Sequence, residues 1–413
     1  MTGVHLLVAR GRQRRRHHLP TGEHVDMHNV SFVVIMVVVT ALAFDFTNGF
    51  HDTANAMATS IATGALKPKV AVGISAVLNL VGALLSTEVA KTVSGGLVDD
   101  KKVTAAMIFG GLVGAILWNL LTWLAGLPSS SSHALFGGLI GAVWVGAGSG
   151  AVHWDRLIDK ILVPAVASPL VAGVAALAAT YIAYRAINHN KNLDVEPVYR
   201  RGQVLSASMV SLAHGTNDAQ KTMGIITLTL IASGSLAPGS SPPLWVILCA
   251  GSAIALGTYL GGWRIIRTMG KGITDVHSPM GFAAETASTA VILASSHMGF
   301  ALSTTHVCSG GIMGAGAGRK LADVRWSVAR RMAMAWVVTL PSAALVGAVA
   351  AEFATRGWFG VVVIAVALIG ASAAIFLMSR KNPVDHNNIN ESSEVSLRPA
   401  DGAGVREPAL AGV

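Results

Sequence analysis

This sequence predicts an all-α, polytopic membrane protein, and three observations carry that expectation. Hydrophobic residues make up 52% of the 413 and charged residues only 12%, about half the charge that covers a soluble domain. Uncharged apolar stretches recur at the length that crosses a bilayer, about 20 residues each. Two glycine-rich polar motifs return in the second half in the same order as in the first. Soluble-enzyme and disordered-chain readings fall on the first observation, and the length accommodates about 10–12 transmembrane segments.

Residues 1–27 are basic and His-rich without apolar periodicity, which predicts a disordered leader; Met27, directly before the first span, is a plausible alternative start. The net charge of +9 owes much to the run from Arg10 to Arg16, and no polar domain exists to present a nucleic-acid face. The first span starts near Val30 and continues past Phe44, too long for a cleaved signal core. Further uncharged stretches cover 70–87, 161–184, 332–351 and 357–379. The stretch 103–152 is broken by Gly126-Leu127-Pro128 and a serine run, and 222–263 by the turn-rich 233–243. Residues 28–187 and 203–381 thus form two transmembrane repeats joined by a basic linker, 188–202, and the polar tail 382–413 reads as disordered. Cys249 and Cys308 are packing residues, not a metal or disulfide framework.

The duplication is specific. Asn48-Gly49-Phe50-His51-Asp52 returns as His214-Gly215-Thr216-Asn217-Asp218, with Asn55 and Met57 matched by Lys221 and Met223. Ser130-Ser131-Ser132-His133, with Gly137-Gly138 and Gly141-Ala142, returns as Ser303-Thr304-Thr305-His306, Gly310-Gly311 and Gly314-Ala315. A duplicated apolar bundle with glycine-broken helices points to a secondary transporter with its site between the repeats.

Asp52 and Asp218 are expected beside glycine-containing breaks, where a carboxylate in lipid is functional by default. The hydroxyl runs after Pro128 and at Ser303 are expected to open helices, and unpaired amides at a helix start attract an anion. Carboxylates facing anion sites make sense when a proton or metal ion lies between acid and oxyanion. Monohydrogen phosphate carries such a proton and sulfate does not. Lys221 shares a helical face with Asp218 and can neutralise it, or snorkels near a helix end. His51 either carries a proton or packs. His133 and His306 are expected to hold the hairpin tips. Glu285 is a coupling-ion ligand or an interfacial residue, and Asp45 ranks below Asp52.

At these residues the chain resembles the inorganic phosphate transporter family, in its bacterial low-affinity, proton-coupled branch. The matching segments are 44–59 (FDFTNGFHDTANAMAT), 213–224 (AHGTNDAQKTMG) and 303–311 (STTHVCSGG), with Gly281-Phe282-Ala283-Ala284-Glu285 before the second hairpin. The resemblance spans essentially 30–380. It implies two inverted repeats with re-entrant hairpins, a homodimer in the cell's inner membrane, and phosphate uptake coupled to a cation without a cofactor. Carried over by motif, phosphate contacts Asp52, Asp218, Asn217, Ser130, Ser131, Ser303 and Thr304. His51, Asn55, Lys221 and Glu285 then serve coupling and charge balance, and a metal touches Asp52 and Asp218 only as part of a metal–phosphate complex. Sodium-coupled members carry Asn-Asp in both motifs and an Asn three positions later. Here His51 and Lys221 depart from that pattern, which favours proton coupling.

Alternatives are a sodium-coupled phosphate or sulfate symporter of the same superfamily, a membrane-embedded hydrolase built on neighbouring Ser and His, and a channel. Basic stretches around 185–201, 264–271 and 319–331 are cytoplasmic by the positive-inside rule. Placing all three on one side requires the Ser303 hairpin region to count as a crossing.

Overall fold

Ser31 opens the first helix by accepting a hydrogen bond from the Val34 amide at 3.4 Å, and α1 (Phe32–Ala62) then runs unbroken for 31 residues. The computed structural model describes residues 31–189, 195–320 and 324–390; the leader 1–27 lies outside them. Pro68 starts α2 (Pro68–Ala83), and a 67° bend follows into α3 (Glu88–Gly96). Thr104 caps α4 (Ala105–Leu124), which ends at Gly126 with a φ of 64° that glycine adopts without strain. Ser130 caps α5 (Ser131–Ala147). The short α6 (Trp154–Leu157) passes through one π turn into α7 (Val163–His189).

The second half repeats this order. The 37-residue α8 (Glu196–Ala232) is followed by α9 (Leu244–Leu260), a 62° bend and α10 (Trp263–Arg267). Then come α11 (Ser278–His297), α12 (Thr304–Arg319) capped by Ser303, α13 (Trp326–Ala354) and α14 (Trp358–Ser379). The all-α membrane architecture holds. Among the described residues, five helices are long and apolar enough to span singly, and up to seven spans result if each bent pair is one. The other long helices, α8 and α11, carry polar residues that they bury inside the bundle, and α5 and α12 are shorter.

The repeats exchange partners. α1 packs on α9 while α2 packs on α8; α5 packs on α13 while α12 packs on α7. One contact shows the correspondence. A Cβ on Gly82 would collide with the Leu212 carbonyl oxygen, and one on Gly257 with that of Phe46, the matching residue of the other repeat. Small residues let these helices touch backbone to backbone, which drives packing where lipid supplies no hydrophobic force.

Two expectations need correction. The Asp motifs do not lie in breaks: Asp52 and Asp218 sit within the continuous α1 and α8. Gly49 and Gly215 serve close approach, facing the backbones of Ile254 and Asn79, and the bends fall at α2–α3 and α9–α10 instead. Residues 382–390, assigned from sequence to a structureless tail, fold back onto the bundle. Arg264 and Arg267 donate to the carbonyls of Asn382 and Asn388, and Ile389 is buried.

The three basic stretches meet at one end. Ser278 donates to Glu196 at 2.6 Å, and Arg325 pairs with Asp275 at 3.2 Å. The α11–α12 pair therefore leaves and returns at that end, and no separate crossing by the Ser303 region is needed. At the other end of the long α7, the α4–α5 pair does the same: the Asp99 amide donates to Ala151 at 2.9 Å beside the Val98–Val152 bridge. The two hairpin tips thus enter from opposite ends and touch, with Ser132 donating to the Leu302 carbonyl at 3.2 Å. Apolar cores around Phe109, Phe136 and Ile226 and around Met57, Val210 and Met280 flank the polar centre between them.

Candidate transport site

Asp52 from α1 and Asp218 from α8 are 1% and 0% exposed. Each is held by the first turn of the hairpin helix in its own repeat. Ser131 donates to Asp52 Oδ2 at 2.7 Å, and its counterpart Thr304 donates to Asp218 Oδ2 at 3.0 Å. Contacts across the repeats match as well. Lys221 Nζ donates to Ser132 at 2.6 Å, while Asn55, its counterpart, donates to Thr305 at 3.1 Å and Thr304 at 3.3 Å. Thr305 also donates to Asp52 Oδ1 at 3.3 Å. The sequence expectation that Lys221 shares a face with Asp218 holds: its ammonium bonds that carboxylate and the Leu302 carbonyl, the latter at 2.9 Å. It is 1% exposed and sits far from any snorkelling position.

His214 joins the two halves. Its Nε2 lies 3.1 Å from Asp218 Oδ2 and 4.0 Å from Asp52 Oδ2, and Asn79 holds its Nδ1 at 3.0 Å. One ligand atom each from Asp52, His214 and Asp218 lie within 4.8 Å of one another, and such a set could hold a divalent cation. His51 lies 2.7 Å from Asp52 Oδ1 through Nδ1 and 3.2 Å from Thr122 through Nε2. At the equivalent position Asn217 donates to Ser296 at 2.8 Å and to the Phe300 carbonyl at 3.3 Å.

Some predicted residues stand apart from the carboxylates. Ser130 and Ser303 act as caps, accepting from the amides of His133 at 3.1 Å and His306 at 3.3 Å, which leaves each hydroxyl proton to donate elsewhere. Glu285 forms its own buried centre, accepting from Thr59 at 2.6 Å, from Gln203 at 3.2 Å and from Ser206. That position inside the bundle is not an interfacial helix end. His306 does hold its hairpin, through Ala165 at 3.1 Å and an edge contact with His133 at 4.8 Å between centroids.

Sequence reasoning missed His214, Asn79, Thr122 and Ser296 as participants, and it placed Ser132 and Thr305 in the hydroxyl runs without giving either a contact. Ser132 and Thr305 occupy matching places in the two runs, which is the signal for their matching contacts with Lys221 and Asn55. Asp45, ranked low from sequence, is 0% exposed with both carboxylate oxygens unpartnered, and Thr222 and Asn48 face it. The neighbours Ser132 and His133 do not pair, because Lys221 and Leu302 engage the Ser132 hydroxyl; the serine that meets a histidine is Ser129, whose Oγ lies 3.4 Å from His51 Nε2.

Paired buried carboxylates, one per repeat, with hydroxyl-rich helix starts converging on them inside a bundle of apolar helices, are the arrangement of a membrane transporter. Residues 48–347 match the phosphate transporter family. A probable low-affinity inorganic phosphate transporter of Mycobacterium leprae (strain TN) is 55% identical over 381 residues, covering 91% of this chain and 92% of its own. One of Bacillus subtilis (strain 168) is 42% identical, covering 77% and 96%. A solved structure described as the sodium-dependent phosphate transporter aligns with a TM-score of 0.65 over 77% of this chain and 98% of its own; at 23% identity that likeness concerns the fold. The chain belongs to the phosphate transporter family.

Proposed function

We propose that this chain imports inorganic phosphate by proton symport, taking part of it as a neutral metal–phosphate complex. The observation that carries the reading is the pairing of Asp52 and Asp218 around His214, each bonded to a hairpin-tip hydroxyl. Asp52 and Asp218 present acceptor oxygens, so an oxyanion meets them favourably only with a proton or a metal ion between. Monohydrogen phosphate brings that proton; sulfate meets an unpaired acceptor. In this reading phosphate contacts Asp52, Asp218, Asn217, Ser130, Ser131, Ser303 and Thr304, and an escorting metal touches the two acids. His51, Asn55, Lys221 and Glu285 balance charge along the coupling path.

Lys221 supports proton over sodium coupling. Its ammonium already occupies a set of oxygens from Asp218, Ser132 and Leu302, the hard ligands a sodium ion would need. Entry of the two hairpins from opposite ends supports inverted repeats. We further read the basic end as cytoplasmic, the chain as multi-pass in the inner membrane, and the working unit as a homodimer.

In proteoliposomes, replacing sodium by choline leaves uptake intact, whereas collapsing the pH gradient reduces it. Excess sulfate leaves labelled phosphate uptake unchanged. Uptake that stops in choline would overturn proton coupling, and equal competition by sulfate would overturn the role given to the carboxylates.

A further inference from the structure

The end of the molecule opposite the three basic stretches carries a charged feature that the transport site does not use. A cavity of about 600 Å³ opens there between α3, the α6–α7 junction and the loop after α11. Its lining includes the acids Glu88, Asp155 and Asp159 and the bases Lys91, Arg156 and Lys160. Glu88 and Lys91 neutralise one another across 2.8 Å. Asp155 and Asp159 follow each other at a spacing of four, as do Arg156 and Lys160, so a negative and a positive stripe run side by side. Among the described residues, Asp155, Arg156 and Asp159 make no ion pair.

Unpaired charges of both signs in one cavity disfavour a free dianion, which would face the acids, and a free dication, which would face the bases. They suit a ligand that is neutral overall and carries both signs at its two ends.

The cavity also borders the transport site. Lys160 Nζ stands 4.3 Å from the centre of the Phe300 ring, and the Phe300 carbonyl accepts from Asn217 at 3.3 Å. Two residues later the Leu302 carbonyl accepts from Lys221 at 2.9 Å. A single loop, 298–303, therefore has the cavity on one face and the buried carboxylate centre on the other.

We propose that this cavity is the outer capture site for a divalent metal–phosphate complex. Arg156 and Lys160 take the phosphate oxygens, and Asp155 and Asp159 take the metal ion. Drawing Lys160 from the Phe300 ring then frees the loop that separates the two compartments. The proposal rests on the metal–phosphate part of the import reading.

The test is initial-rate phosphate uptake by the full chain in proteoliposomes, with magnesium in excess and again with EDTA. Asp155→Asn/Asp159→Asn raises KM about fivefold in magnesium and leaves KM in EDTA no higher than the parent's, with the maximal rate retained. Lys160→Ala, a single change at the cavity rim, raises KM under both conditions and supplies the result should the double variant fail to fold. Variants that match the parent's KM in magnesium overturn the capture site, as does a loss of maximal rate at unchanged KM. A parent whose uptake ignores magnesium overturns the metal–phosphate reading itself, and the proposal with it.

Discussion

Removing the ammonium of Lys221 should unbalance the centre more than any other single change. Lys221 and Asp218 are 1% and 0% exposed, so neither charge is screened by water. In Lys221→Met the Asp218 carboxylate keeps only the Thr304 hydroxyl and His214 nearby, and Ser132 and Leu302 lose the same donor. Breaking a buried pair from one side costs about 3–5 kcal/mol, because the remaining charge is left uncompensated. For a helix bundle of this size that corresponds to a fall in Tm of roughly 3–6 °C, read by tryptophan fluorescence in detergent. Asp218→Asn/Lys221→Met removes both charges and should recover most of the loss. A single variant within about 1 °C of the parent, or a double variant as unstable as the single, would refute the buried-pair reasoning. Lys221→Asn restores the amide found at Asn55 in the first repeat, and its uptake should become sensitive to sodium in the choline exchange experiment.

Ser131→Ala and Thr304→Ala each delete the hydroxyl bonded to a carboxylate, at 2.7 and 3.0 Å, and each should weaken phosphate uptake about tenfold in KM by removing a donor from a buried carboxylate; equal KM values for both variants and the parent would remove these hydroxyls from the site. Gly257→Ala pushes a methyl into the Phe46 carbonyl, so a loss of about 1–3 kcal/mol should show as a lower Tm, and an unchanged Tm would mean that α1 and α9 can separate freely. Arg264→Ala cuts bonds to the carbonyls of Leu124, at 2.8 Å, and Ser379, at 2.9 Å, as well as Asn382; limited proteolysis should then cleave within 380–390 faster than in the parent, and an unchanged digestion pattern would show that other contacts hold the segment.

Sequence alone settled the membrane class, because hydropathy is a sum over residues and needs no coordinates. It also showed the duplication, since Asp52, Asp218 and the two hydroxyl runs stand in register along the chain. The glycine breaks were misjudged for a physical reason. A glycine within a helix and a glycine that ends one look alike in sequence, and only the neighbouring helix at Gly49 and Gly215 distinguishes close approach from a break. Which side chains meet was decided by the fold, because α1 and α2 of the first repeat bind α9 and α8 of the second, an exchange invisible in a linear pattern. That exchange brings Asn79 from α2 to His214 on α8, and the meeting of the two hairpin tips brings Lys221 to Ser132. Residue types and their order are local properties of the chain, whereas the sharing of two carboxylates by one histidine depends on distances that only packing fixes.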